Sequence, residues 1–178
     1  MKKIKLLLFT SLVFMLITQI GKAQTSFSMV SPDGKLSANI ELKDKIYYSL
    51  NFEDENLIEA SPISMELLDG TVWGKDPVAR RHKSKSVDEV LTPLYGKRKE
   101  IRDHFNELTI TFKERYSLTI RMYNEAFAYQ FGANSKGEII VKNEEAHFNF
   151  AGDYTIWSSL TSANSFEHSY ENIYNVKK

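Results

Sequence analysis

Carboxylates and aromatic rings crowd the last part of this chain. From Glu144 it reads Glu144-Glu145-Ala146-His147-Phe148-Asn149-Phe150-Ala151-Gly152-Asp153-Tyr154-Thr155-Ile156-Trp157. After a small polar stretch it resumes as Asn164-Ser165-Phe166-Glu167-His168-Ser169-Tyr170-Glu171-Asn172-Ile173-Tyr174. Aromatic faces stack on the C–H face of pyranose rings, and carboxylates accept hydrogen bonds from hydroxyl groups. The composition therefore suits a rim that faces a carbohydrate, with Trp157 and Tyr170 as the candidate contacts. It also suits a tail laid across a β-sandwich with its rings buried, and on composition alone that plainer reading is preferred.

Other chemistry is hard to find. The chain has no GxSxG, no phosphate-binding loop, no HExxH and no dinucleotide fingerprint. His82, His104, His147 and His168 are scattered without a ligand spacing, and a lone His in a strand is more often packed than ligating. Absence of Cys removes thiolate metal sites, Cys nucleophiles and disulfides. Carboxylates are plentiful, but spacing along strands does not say which two face each other across a cleft, so no acid/base pair is chosen.

The elements that must position these residues are strands. Leu36, Ala38, Ile40 and Leu42 alternate with polar residues, Lys43-Asp44-Lys45 turns the chain, and Ile46, Tyr48, Leu50 and Phe52 alternate again. Successive side chains of a strand point to opposite faces, so this spacing predicts a β-hairpin with one face for a core. Leu108-Ile110-Phe112, Leu118-Ile120-Met122 and Phe127-Tyr129-Phe131 predict a three-stranded meander. Further strands are expected over Pro62–Leu68, closed by the turn pair Asp69-Gly70, over Glu138–Lys142 and over His147–Phe150. Lys75–Val90, with its Arg80-Arg81-His82-Lys83 run, has no clear period and reads as a solvated loop, with a basic patch as the lesser option. Many short strands between regular turn signals make the fold all-β, a sandwich or barrel.

Residues 1–23 read as a secretory signal peptide: Lys2, Lys3 and Lys5, an apolar core from Leu6 to Ile20, and small residues in Gly21-Lys22-Ala23 before the cut. The core is shorter than the roughly 20 apolar residues of a membrane span. Removing the leader leaves 155 of the 178 residues, with 19 Lys and Arg against 23 Asp and Glu, a net charge of −4. That balance argues against nucleic acid as a partner and gives no reason for adsorption to a membrane after cleavage. A chain of this length is one domain, held by burial.

Several pieces in order carry a family resemblance. Ser31-Pro32-Asp33-Gly34-Lys35 is followed by a hairpin with Tyr47-Tyr48; then come Ala60-Ser61-Pro62-Ile63-Ser64-Met65, Phe127-Ala128-Tyr129-Gln130-Phe131 and the stretch Glu145 to Trp157. Together, from Ser26 to Tyr174, they resemble the N-terminal domain of glycoside hydrolase family 97. The resemblance implies an antiparallel β-supersandwich of the galactose mutarotase-like kind over 24–174, with 175–178 as the start of a linker. It implies a non-catalytic module of an exo-acting α-glucosidase or α-galactosidase, working on oligosaccharides in the periplasm of Gram-negative bacteria. The family's catalytic carboxylates belong to a (β/α)8 barrel that follows this domain, so no catalytic residue is assigned here.

One role does carry over. In this family the N-terminal domain lends a Glu to a calcium site beside the sugar pocket, in a pattern of aromatic, Glu, two residues, then Tyr. Tyr170-Glu171-Asn172-Ile173-Tyr174 matches it, which makes Glu171 the first candidate ligand and Glu167 the second. Calcium is then expected as a cofactor only where a catalytic barrel completes the site, because one Glu supplies at most two of the six to eight oxygens that Ca²⁺ collects. If the chain stops before its barrel, the face that packs there is expected to be aromatic, formed by Tyr154, Trp157, Phe166, Tyr170 and Tyr174. Rival readings are a free-standing secreted carbohydrate-binding module built on Trp157, a lone supersandwich enzyme like the aldose epimerases, and a purely structural periplasmic domain.

Overall fold

The computed structural model describes residues 25–134, 136–158 and 175–177; residues 1–23, where a leader is expected, and Phe166, Glu167, Tyr170, Glu171 and Tyr174 lie outside the described residues. Every described element is a strand: β1 Ser26–Val30, β2 Leu36–Leu42, β3 Ile46–Phe52, β4 Glu55–Leu67, β5 Val72–Trp73, β6 Ala79–Leu91, β7 Ile101–Phe112, β8 Tyr116–Met122, β9 Phe127–Ala133, β10 Val141–Ala146, β11 Ile156–Ser158 and β12 Asn175–Lys177. The first sheet runs β1-β2-β3-β4-β10, with β5 also paired to β4; the second runs β6-β7-β8-β9; β11 and β12 pair with each other. All the pairings are antiparallel. The fold is all-β, and the predicted hairpin and meander are both present.

Alternation in the sequence becomes alternation in burial. Leu36, Ala38, Ile40 and Leu42 of β2 and Ile46, Tyr48 and Leu50 of β3 face inward, against Leu108, Ile110 and Phe112 of β7 and Leu118, Ile120 and Met122 of β8. Strand β1 lies against β7 and β2 against β8, while Tyr48 of β3 stacks on Phe127 of β9 at 4.9 Å between ring centroids. The two sheets are therefore displaced by one strand. Strand β6 overhangs at one edge of the sandwich, and β4 with β10 overhang at the other.

Tyr116 locks the two sheets together. Its ring stacks on Phe112 at 4.5 Å and on Trp73 of the other sheet at 5.5 Å. The Gly74 N–H donates to the Tyr116 hydroxyl oxygen at 3.0 Å. Burial pushes the phenol's pKa far above its usual value, so it stays neutral. Gly74 itself has a φ of 95°, and a Cβ there would meet the Ile63 carbonyl oxygen at 2.8 Å. Only glycine accepts both the left-handed backbone and that approach.

The structure departs from the sequence reading in four places. The predicted solvated loop at Lys75–Val90 is for the most part β6, a 13-residue strand paired along its whole length with β7. It shows no period because nearly all of it is exposed, so neither face selects apolar residues. Strand β4 begins at Glu55, earlier than Pro62, and its register shifts near Leu50 hide the alternation. The strand expected at Glu138–Lys142 forms at Val141–Ala146. His147–Phe150 is an irregular segment tied to β4 and making one isolated bridge, Phe150 to Ile58.

Phe105 is buried on the unexpected face. It sits an odd number of residues from Leu108, Ile110 and Phe112, and so projects from the outer side of the second sheet. Even so it is only 2% exposed, because the Arg121 guanidinium lies 4.2 Å above its ring and Tyr123 packs at 5.3 Å.

Replacing Tyr116 with Phe keeps the ring stack but leaves the buried Gly74 N–H without its acceptor. The expected cost is about 1–3 kcal/mol, read as a lower urea midpoint with an unchanged slope.

Candidate functional site

The surface that carries the chain's chemistry is the β4/β10 overhang and the segment that leaves it. Strand β10 pairs with β4 from Val141 to Ala146. The chain then follows β4 through hydrogen bonds that are not a regular ladder. The Asn149 N–H donates to Ser61 Oγ at 2.9 Å and its amide nitrogen donates to the Ala60 carbonyl at 3.0 Å. The Glu59 N–H donates to the Asn149 carbonyl at 2.7 Å, and the Ala151 N–H to the Leu57 carbonyl at 3.1 Å. This tether carries Phe148 and Phe150 along the edge of β4, with Tyr154 packed on Phe150 and Trp157 following on β11.

Those rings are exposed. Phe148 meets the edge of Tyr48 at 6.3 Å yet remains 54% exposed. Phe150 packs edge-to-face with Tyr154 at 6.1 Å, and Trp157 on β11 is 68% exposed. Gly152 makes the turn before Tyr154, and a Cβ there would come within 3.2 Å of the Tyr154 ring. Sequence reasoning chose Trp157 and Tyr154 but gave no role to Phe148 and Phe150, although their alternation was visible. Of the remaining candidates, Glu171, Glu167 and Tyr170 fall outside the described residues, so the structure does not say whether they join this rim.

Behind the rim, Glu145 forms a charged clasp. Lys45 Nζ lies 2.7 and 2.9 Å from its two carboxylate oxygens. The Ser64 hydroxyl donates to it at 2.7 Å, and His147 Nε2 is 3.3 Å away. The hydrogen bonds from Lys45 and Ser64 hold the Glu145 pKa below the usual carboxylate range, and the same contact raises that of Lys45. On the opposite face of β10, Tyr129 donates its hydroxyl to Glu144 at 3.1 Å. Burial drives the Tyr129 pKa well up, and burial moves Tyr48 up to about 12. Tyr48 donates to the His147 carbonyl at 2.7 Å, which fixes the root of the rim.

Chemically, this arrangement positions rings and accepts hydrogen bonds. Glu145 is an ion-paired acceptor whose neighbours keep it charged, and the buried phenols stay protonated. No group of three or more His, Asp or Glu among the described residues is arranged to hold a metal ion. The partners of Glu145 were not legible in the sequence, because Lys45 and Ser64 lie 100 and 81 residues away from it.

The sign of the Glu145 contribution follows from its lowered pKa. An acid with a depressed folded-state pKa stabilises the fold above its unfolded value, here 4.5, and loses that contribution as pH falls through the lower folded value. Glu145→Gln is expected to lower stability at pH 7 by about 1 kcal/mol, a figure discounted for a partly exposed Lys45. The gap between variant and parent should close by pH 3, followed by urea denaturation across the range. Gly152→Ala should displace the Tyr154 ring from its backbone seat, seen as a change in the Tyr154 aromatic NMR resonances with little change in stability.

The comparisons with known proteins agree with this architecture. The family model described as Glycosyl-hydrolase 97 N-terminal matches residues 29–178. A retaining alpha-galactosidase of Bacteroides thetaiotaomicron is 32% identical over 185 aligned positions, which cover 100% of this chain and 27% of that protein. Among solved structures, a glycoside hydrolase family 97 enzyme of Pseudoalteromonas sp. strain K8 in complex with panose superposes with a TM-score of 0.69 at 19% identity, over 84% of this chain and 24% of that one. A beta-arabinopyranosidase gives a TM-score of 0.69 at 21% identity, over 84% and 26%. At such identities the structural likeness is one of fold, and the chain spans about a quarter of the length of the relatives it matches. With the family match running over most of its length, the chain belongs to the glycosyl-hydrolase 97 N-terminal family.

Proposed function

We propose that this chain is the non-catalytic N-terminal β-sandwich module of an exo-acting glycoside hydrolase of the α-glucosidase or α-galactosidase class, exported to the periplasm by its leader. The observation that carries the reading is the match to the N-terminal family over residues 29–178. The relatives, several times longer, include a retaining alpha-galactosidase and a family 97 enzyme holding panose. In this reading the partner is a catalytic (β/α)8 barrel, and the exposed rim of Phe148, Phe150, Tyr154 and Trp157 lies where the module meets the barrel and its oligosaccharide. Tyr170 joins Trp157 in contacting carbohydrate.

Calcium belongs to the completed enzyme. Glu171, or failing it Glu167, offers at most two oxygens of the roughly six to eight that the ion requires. The donor set of this chain is thus incomplete alone, and the barrel supplies the rest. When bound, Ca²⁺ would supply a fixed positive charge beside the sugar pocket; the chain's own part is to hold one carboxylate in place for it.

A chimera tests the reading: this chain replaces the native N-terminal domain of the Bacteroides alpha-galactosidase. The expected result is a folded enzyme with calcium-dependent hydrolysis, and Glu171→Gln should weaken calcium binding by roughly ten-fold or more. The isolated chain should show no micromolar calcium affinity by calorimetry. Tight calcium binding by the chain alone, or an inactive but folded chimera, would overturn the proposal. A maltose and melibiose titration by NMR separates the rival: shifts at Trp157 in the isolated chain would mark a free-standing carbohydrate-binding module.

A further inference from the structure

We propose that the outer face of the second sheet, along β6, binds a linear polyanionic oligosaccharide, one carrying sulfate or carboxylate groups at intervals along its chain. This goes beyond the barrel-supporting role and does not depend on it. The Arg80-Arg81-His82-Lys83 run lies in a strand, and the strand sorts its side chains by face. Arg81, Lys83 and Lys85 share the outer face of β6, opposite Thr111, Thr109 and Glu107 of β7. Alternate residues of a strand stand about 6.6–6.8 Å apart. The three cations therefore form a regular row.

That row lines a groove. A cavity of about 600 Å³ is bounded by Arg81, His82, Lys83, Lys85, Glu107, Thr109 and Thr111. A second, of about 880 Å³, shares Arg81 and Thr111 with it and adds Arg80, Lys113, Arg115 and Lys136. The two are neighbours, sharing those residues.

Most of the cations in the groove are uncompensated, Lys85 being the one that is paired. Elsewhere Lys35, Lys43, Lys45, Arg102 and Lys142 each have a carboxylate within 3.3 Å. Among the described residues, Arg80, Arg81, Lys83, Lys113, Arg115 and Lys136 have none within ion-pair distance. The carboxylate that lines the groove, Glu107, is already held by Lys85 at 3.2 Å and Arg121 at 2.8 Å. Six unpaired cations along one channel, on a chain whose mature form is net acidic, are a local field that attracts anions.

The floor of the groove selects among anions. Thr109 and Thr119 hydroxyls lie 3.2 Å apart as a polar pair, and Thr111 continues the row. Hydroxyls exchange hydrogen bonds with sugar hydroxyls. A single strand of nucleic acid needs exposed rings on which bases stack. The groove offers no row of them: His82 packs edge-to-face on Phe27 at 5.3 Å, Phe112 is 1% exposed, and Phe105, on the same outer face, is 2% exposed beneath Arg121. A flat, open channel along a strand fits an extended chain better than a compact anion.

The test uses the exported full-length chain and a fluorescent heparin-derived octasaccharide, followed by anisotropy at 20 and 150 mM salt. Binding is expected, and it should weaken with salt as exposed charges are screened. The combined substitution Arg81→Ser, Lys83→Ser and Lys113→Ser should weaken it roughly ten-fold or more, as three exposed charge contacts would. All three positions are on the surface, and circular dichroism checks that the fold is kept. Lys97→Ser with Lys99→Ser, which removes a basic cluster far along the chain in the 92–100 loop, should leave affinity within about two-fold. A neutral dextran of equal length should not bind, and a single-stranded oligonucleotide of equal charge should bind more weakly. No binding of the sulfated probe, equal damage from the loop variant, or equal affinity for the oligonucleotide would each overturn the proposal. None of these outcomes bears on the calcium or barrel reading.

Discussion

Two sheets meeting face to face through alternating apolar residues is the constraint on which the rest of this molecule depends. Strands β2, β3, β7 and β8 each turn a run of apolar residues inward, and residues such as Ile40, Ile46, Ile110, Leu118 and Ile120 lose all contact with solvent. The Tyr116 stack crosses between the sheets and ties Phe112 to Trp73. With no Cys in the chain, this burial holds the domain without covalent bridges. Any element that cannot reach the interface is left with two wet faces.

The displacement of the sheets by one strand distributes the remaining chemistry. At one edge β6 meets the first sheet through the His82 ring, which packs on Phe27 of β1 at 5.3 Å, and nearly all the rest of it is exposed, so its sequence is free to be polar and cationic. At the other edge β4 and β10 reach past β9, and the gap is closed by rings: Tyr48 on Phe127, Tyr129 and Phe148. The tail leaves from that aromatic corner. Hence the cations and the exposed aromatics, which are neighbours in neither sequence nor space, both trace to a single packing offset.

At the aromatic corner, polar contacts decide direction and apolar contacts decide position. Glu145 draws Lys45 from the β2–β3 turn and Ser64 from β4 onto one carboxylate, pinning a strand that pairs on one side only among the described residues. Edge strands invite unwanted pairing unless charge or a covering segment protects them. The irregular run after Ala146 gives such cover, because its backbone is spent on β4 while Phe148 and Phe150 are turned outward.

Much of this was legible in the chain itself. The all-β class, the 36–52 hairpin and the 108–131 meander follow from period-two alternation, which is a local property and survives without any knowledge of partners. Residue motifs in order, from Ser31-Pro32-Asp33-Gly34 to the Glu145–Trp157 stretch, were enough to indicate the family. Three things needed the tertiary structure. Strand β6 carries no periodic signal because both of its faces are solvated, so only its pairing with β7 reveals it. The clasp on Glu145 joins residues 100 and 81 positions apart, a relation set by sheet order and register. And the row of Arg81, Lys83 and Lys85 becomes a single face only once the backbone is extended, since the same residues in a loop would point in no common direction.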